Sequence, residues 1–304
     1  GNMDMLYLNS FDAEWDDILS LQTRGIMQNA ADEKMRNGEV DAVMTSHNLD
    51  FLKILLSPKD RQMFNIPRNM ELRANARVAN GTYEGELSFI EGRGVVSVDA
   101  RYTPETESYS MNARIDSLEP IHFMPQDSLM WLTAEFNAEG KGTDIFKPST
   151  SIRAEGKIKD IVYGKRSVSD VNIDASLKEN FAQVDLVSRF PLAEMDITLN
   201  ATLKKNDISA MLIADMQHID LHKLHLTDVP LFTSFQIFAE ASTDTYKKYD
   251  ADFTLGNWEI ETPKQTVRPK SLVLKAHSDK DTTTLAFHAG DLGISLSGGK
   301  DIMG

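Results

Sequence analysis

Apolar and polar residues alternate one for one along most of this 304-residue chain. That period constrains the fold more than any other feature, because successive side chains of a strand point to opposite faces. Met70, Leu72, Ala74, Ala76 and Val78 fall on one side, with Glu71, Arg73, Asn75 and Arg77 on the other. The pattern returns at Tyr83-Gly85-Leu87-Phe89, Val96-Val98-Ala100-Tyr102, Tyr109-Met111-Ala113-Ile115 and Met130-Leu132-Ala134-Phe136. Later runs include Val171-Ile173-Ala175-Leu177, Met195-Ile197-Leu199-Ala201-Leu203, Ile208-Ala210-Leu212-Ala214-Met216, Thr233-Phe235-Ile237-Ala239 and Ala251-Phe253-Leu255. Antiparallel sheets are the ones that leave one face to water. Strands this numerous, with no long amphipathic helix to cover them, predict an all-β, elongated, mostly antiparallel repeat sheet curled into a trough. The alternative is an elongated β-sandwich, because a long twisted sheet either curls or splits.

Hairpin punctuation supports this. Asn80-Gly81, Gly92-Arg93-Gly94, Pro104-Glu105, Lys178-Glu179-Asn180 and Lys205-Asn206-Asp207 stand where turns are needed. A short helical turn or two is expected within His47 to Arg61, where Leu49, Leu52 and Leu56 fit a helical period. Asn29 to Asn37 is a second helical possibility.

Three segments resemble one another: His47-Asn48-Leu49-Asp50 with Ser57-Pro58-Lys59-Asp60, Asp116-Ser117-Leu118-Glu119 with Pro125-Gln126-Asp127, and Gln217-His218-Ile219-Asp220 with Thr227-Asp228. Each follows an alternating hairpin and precedes an alternating strand. They divide the chain into N-terminal strands (1–45) and three β repeats (46–115, 116–216, 217–304) of one continuous domain. Leu49 and Leu118 are 69 residues apart, but Leu118 and Ile219 are 101 apart. A fixed-period solenoid would not vary so much, whereas a β array with extra hairpins would.

Composition removes several functions. With 32 basic against 46 acidic residues the formal charge is -14, which argues against binding a nucleic-acid backbone. No cysteine is present, so there is no disulfide, thiolate metal site or cysteine nucleophile. No apolar run reaches the ~18 residues of a membrane helix. Gly1-Asn2-Met3 begins no signal peptide, and Asp301-Ile302-Met303-Gly304 carries no terminating signal; both suggest a piece of a longer protein.

Chemical motifs are scarce. His218, Asp220, His222 and His225 are the sharpest metal candidates, since imidazole suits zinc or copper. Their place in a recurrent linker favours a segment that happens to hold histidines. The carboxylate pairs Asp16/Asp17, Glu84/Glu86, Asp250/Asp252 and Glu259/Glu261 sit on wet faces or in turns and read as solubilising charge. Gly290-Asp291-Leu292-Gly293 and Ser297-Gly298-Gly299 are turn glycines, with no helix pattern behind them. No nucleophile elbow or phosphate loop appears. The expectation is therefore a non-enzymatic protein without metal or cofactor.

The apolar faces carry the functional hypothesis. Leu87, Phe89, Val98, Met111, Leu132, Phe136, Ile173, Leu199, Leu212, Phe235, Ile237 and Phe253 are the expected lining of a lipid groove. Many inner positions are alanine, including Ala74, Ala100, Ala134, Ala175 and Ala210. Small residues fill a groove less completely than large ones. The competing reading is a structural or interaction β-sandwich array, a spacer or adhesin, in which the same side chains make a filled core without lipid; a carbohydrate-active enzyme is the remote alternative.

Acidic, cysteine-free hairpin arrays joined by linkers such as Ile115-Asp116-Ser117-Leu118-Glu119 resemble the AsmA-like superfamily. Within it the chain is most similar to the TamB (translocation and assembly module) proteins of Gram-negative envelopes. Gly140-Lys141-Gly142-Thr143-Asp144, Ile161-Val162-Tyr163-Gly164, Val171-Asn172-Ile173-Asp174-Ala175-Ser176-Leu177 and Ile219-Asp220-Leu221 carry the likeness, which spans about residues 40 to 298. The resemblance implies a periplasmic β-trough, the β-taco, on a parent chain anchored in the inner membrane. It implies a role in outer-membrane biogenesis, either conducting phospholipid acyl chains or assisting barrel-protein assembly. The partners it implies are a phospholipid or other acyl-chain ligand, outer-membrane assembly machinery and neighbouring repeats of the parent chain. No catalytic residue is carried over.

Overall fold

The computed structural model describes residues 5–299 except 33 and 127. The readings placed on Gly1-Asn2-Met3, Asp127 and Asp301 to Gly304 lie outside the described residues.

Nineteen strands account for most of the described residues, and the alternation accounts for the strands. The chain forms two compact units. The first comprises residues 1–141 with 156–168, and the second 142–155 with 169–304.

In the first unit β1 (Met5–Trp15), β2 (Leu19–Gln28), β3 (Asn37–Ser46), β4 (Met70–Ala79), β5 (Thr82–Glu91), β6 (Gly94–Thr103), β7 (Ser108–Leu118) and β8 (Leu129–Lys141) form an antiparallel meander. Each strand pairs with its chain neighbours, so β1 is an edge. The later part of β9 (Ser151–Tyr163) lies by β8, with the Lys159 ammonium 2.6 Å from Glu135. Asn80 and Gly81 both take positive φ, 50° and 72°, as a tight hairpin turn requires.

The second unit repeats the plan with β10 (Arg166–Lys178), β11 (Phe181–Phe190), β12 (Ala193–Lys204), β13 (Asp207–Asp220), β14 (Phe232–Thr243) and β15 (Tyr249–Glu261). A two-residue strand, β16 (Thr266–Val267), touches the end of β15 before β17 (Leu272–Ser278), β18 (Thr282–Ala289) and β19 (Leu292–Gly299) complete the ladder. Here the edge is β19.

The fold is thus all-β and antiparallel, as the periodicity predicts. In the first unit the apolar face is left partly open, with Leu87 and Met111 39% and 40% exposed, a burial pattern unlike the sealed interior of two packed sheets.

Among the described residues helix is confined to linkers. In the first unit a 3-10 turn (Asp50–Leu55) leads into α1 (Pro58–Met63), within the segment expected to hold a helical turn. Ser57 caps α1 by accepting the Asp60 N–H, and Pro58 opens it. A second 3-10 turn, Pro120–His122, stands between β7 and β8.

The helical alternative for Asn29 to Asn37 is not realised among the described residues, and side chains explain why. The Asn29 amide donates to the Met35 carbonyl, Asp32 accepts the N–H groups of Lys34 and Met35, and Arg36 Nε donates to the Ala30 carbonyl. These bonds hold an irregular turn in place of the helical ladder.

Candidate functional site: the apolar faces

Directly opposed residues of an antiparallel pair share a face. The register therefore decides whether apolar positions that alternate along each strand also line up across strands. In the first unit they do. One row runs Met44, Leu72, Phe89, Val96, Ile115, Ala134, and the next Ala42, Ala74, Leu87, Val98, Ala113, Phe136. A third follows Val40, Ala76, Gly85, Ala100, Met111, Ala138. Of the expected lining residues, Leu87, Val98 and Phe136 share one row, Phe89 stands in the row on one side and Met111 in the row on the other. Leu132 pairs with Leu118 beyond a bulge that starts after Ile115. Ser117, inside that bulge, takes a positive φ of 55°.

The second unit is aligned as closely. Ala175, Val184, Leu199, Leu212, Ala239, Phe253, Leu274, Phe287 and Ile294 form one row. Ile173, Leu186, Ile197, Ala214, Ile237, Leu255 and Leu272 form its neighbour. Phe235 pairs with Met216 on the same face. All six expected lining residues of this unit are half-buried.

In the first unit the face is covered most fully near the linkers. The rings of Phe89 and Phe123 meet at 6.0 Å, and those of Trp15 and Phe51 at 5.0 Å. Asn65 ties the two linkers together: its N–H donates to the Phe123 carbonyl at 2.6 Å, its side chain donates to the His122 carbonyl at 2.9 Å and accepts from the Lys53 ammonium at 3.0 Å. Glu91, only 5% exposed, lies under this cap 2.9 Å from His122 Nδ1. Farther from the linkers the face opens into an apolar hollow of about 560 Å³, lined by Met27, Val40, Ala76, Gly85, Ala100 and Met111 with Tyr83, Tyr102 and Tyr109.

The opposite face of the same unit carries a larger hollow, about 830 Å³, with Arg24, Asp41, Arg73, Asn75, Glu86 and Asp99 around it. Its charges answer one another. The Asn75 amide and the Arg24 guanidinium both donate to Asp41, which holds that carboxyl below its ordinary range. Arg73 pairs with Glu71.

The histidine segment forms no joint site among the described residues. The His218 ring packs on Phe232, centroids 5.2 Å apart, while His222 Nδ1 stands 3.1 Å from the Thr227 carbonyl. Asp220, 2% exposed, accepts the Lys223 N–H at 2.9 Å. Burial pushes its carboxyl up, and the bond from the Lys223 backbone, the Lys223 ammonium and His218 together outweigh it, so the carboxyl lies below its usual range. No group of three or more metal-ligating residues gathers among the described residues.

The carboxylate pairs are also dispersed onto partners: Glu84 on Arg101, Asp252 on Lys275, Glu259 on Arg268 and Asp250 on His277. Two features escaped the sequence reading. Tyr83, Tyr102 and Tyr109 line up in one row, and Arg36 reaches Tyr83 from a turn. The tyrosines flank hairpin turns, so pairing across Thr103 to Ser108 was the available signal.

No family model, curated protein or solved structure matches this chain.

Proposed function

We propose that this chain is a non-enzymatic, TamB-like periplasmic segment that supports outer-membrane biogenesis. Its apolar β face shelters or conducts phospholipid acyl chains, or holds barrel-protein strands during assembly. The observation that carries the reading is the alignment of apolar rows with large side chains left open on them, above all Leu87 and Met111. Water-exposed apolar patches of this extent mark interaction surfaces more often than idle surface. An acidic outer face keeps such a protein soluble while the inner face stays free for an apolar cargo. The edge strands β1 and β19 expose unpaired backbone groups, which suits strand addition by neighbouring repeats of a parent chain or by assembly machinery.

Lipid extraction and native mass spectrometry of the purified protein test the proposal, together with photo-crosslinking from Phe136 and Phe235. Co-purifying or loadable phospholipid, crosslinked at these two positions, is the expected result. A protein that carries no lipid and yields no crosslink at either position would overturn it.

A further inference from the structure

The apolar face of the first unit does not end in aliphatic residues. Its outermost row runs Gly38, Val78, Tyr83, Tyr102, Tyr109, Gly140. Three phenols thus stand side by side where the face gives way to the hairpin turns. A tyrosine has an apolar body and a polar tip, and it suits a boundary between hydrocarbon and water.

Arg36 joins them. From the turn before β3 its Nη1 donates to Tyr83 Oη at 3.3 Å and its Nε to the Ala30 carbonyl at 3.1 Å. The side chain is half-buried at the rim of the apolar hollow. Among the described residues no carboxylate forms a salt bridge with it, in a chain with 46 acidic residues against 32 basic ones. A guanidinium has five N–H donors. The hollow is also lined by Arg77 and Arg101 and by Glu39 and Glu84, so its guanidinium groups outnumber its carboxylates, and an anion delivered to the rim would offset the difference.

The rim opens onto a lane of suitable length. From Tyr83 to Phe89 along β5 is six residues, or ~20 Å of strand, comparable to an extended acyl chain. The lane is open near the rim, because Ala76, Gly85 and Ala100 project little. Gly38 is buried against β2, where a Cβ would lie 2.5 Å from the Ile26 carbonyl oxygen. At its far end the lane meets Phe123 of the linker cap.

We propose that the first unit selects phospholipids with a net anionic head group. The phosphate binds at Arg36 with help from the tyrosine hydroxyls, and an acyl chain lies over Gly85 and Ala100 toward Phe89. This rests on the acyl-chain reading above and adds the head-group subsite and its preference. A free fatty acid would satisfy the guanidinium too. The rim, however, offers a guanidinium fork and three hydroxyls, more donors than one carboxylate needs, whereas a phosphate diester with its glycerol esters spreads acceptors along the whole row.

The test incubates the full chain with phosphatidylglycerol vesicles, phosphatidylcholine vesicles or sodium oleate, re-isolates the protein and counts bound lipid by native mass spectrometry. Wild type is expected to carry about tenfold more phosphatidylglycerol than phosphatidylcholine, because both offer a phosphate but the choline ammonium cancels the net charge in only one of them and brings a second cation to the guanidinium. Arg36→Gln should abolish the preference while still carrying both lipids. Arg36→Lys should retain part of it, and Arg73→Gln, on the opposite face, should leave it unchanged. Equal loading of both lipids by wild type, or an undiminished preference in Arg36→Gln, overturns the head-group subsite and leaves the groove standing. Oleate loaded in preference to phosphatidylglycerol overturns the choice of phospholipid. No loading of any of the three overturns the groove reading itself.

Discussion

The two units share a plan and differ at their turn ends. In both, the row second from the hairpin turns is built of small residues. The first unit has Ala76, Gly85 and Ala100, and the second has Ala182, Ala201, Ala210, Ala241, Ala251 and Ala276 in unbroken succession. In both, the outermost row is rich in hydroxyls, Tyr83, Tyr102 and Tyr109 in one and Thr243, Tyr249, Ser278 and Thr283 in the other. The chemistry beside that row then diverges. The first unit places Arg36 there, bonded to Tyr83. The second has turns of mixed charge, in which Asp244 accepts the N–H groups of Tyr246, Lys247 and Lys248, and Asp279 those of Asp281 and Thr282. One strand pattern therefore supports two sets of turns, because the pattern governs faces and leaves turn residues free.

The most disruptive way to probe this contrast is to fill a small position in each unit. Ala134 is 0% exposed, whereas Ala251 is exposed on the alanine row. Ala134→Leu should cost ~1–3 kcal/mol through overpacking, and Ala251→Leu within about 0.5 kcal/mol of nothing. Urea unfolding of the two variants decides the matter, and equal losses would mean that the alanine row is as closed as the linker end.

A smaller effect separates the linkers. Asn65→Ala removes two side-chain bonds, one to His122 across the first unit's linkers and one from Lys53 within its own, and should cost ~1–2 kcal/mol, with faster hydrogen exchange at Phe123 and Met124. Asp220→Ala removes the acceptor of the Lys223 N–H in the second unit and should cost ~1 kcal/mol, with faster exchange at Lys223. Exchange at Phe123 and Met124 that ignores Asn65→Ala would show that the cap is held by its apolar contacts alone.

The smallest expected effect is on pH dependence, and it belongs to the second unit. Backbone N–H donors, first that of Lys248, hold the Asp244 carboxyl down at about 2. Those of Asp281 and Thr282 do the same for Asp279, also to about 2. A depressed carboxyl stabilises the fold above its unfolded pKa of ~3.9, and that contribution fades as pH falls toward 2. His277 runs the other way. Its bond to Asp250 raises its pKa, so its contribution is full below the unfolded value of ~6.5 and is lost as pH rises through the higher folded value. Melting curves of Asp244→Ala against wild type should differ at pH 6 and converge near pH 2. A gap that persists at pH 2 would contradict this origin.

Much of the fold was legible because alternation is a local property with a global consequence. Once Met70 to Val78 and Tyr83 to Phe89 each show one apolar side, the Asn80-Gly81 turn between them leaves only one register in which those sides coincide. The expected lining residues accordingly fall on shared faces within each unit. What local pattern does not carry is long-range closure. Nothing in residues 47–69 announces that Asn65 bonds to His122 and Phe123. The boundaries at 45, 115 and 216 follow the linkers, while the compact units divide across residues 141 to 169, since linkers mark where strands pause and compactness depends on which strands gather. Arg36 was illegible for a related reason: its turn is shaped by Asn29, Asp32 and Ala30, and that loop alone brings the guanidinium to Tyr83.

The meander also bears on how such a chain can change its length over evolutionary time. Four strands, β4 to β7, separate the first two linkers, and six, β8 to β13, separate the second from the third. Both counts are even. Duplicating or deleting a hairpin alters the contour by two strands, returns the chain to the same side and preserves every inward-facing residue downstream. A single added strand would reverse the direction of all that follow. The unequal intervals of 69 and 101 residues between Leu49, Leu118 and Ile219 then look like the record of whole hairpins gained or lost. On this view the heritable module is the hairpin, and reach can be adjusted in steps without redesigning the surface.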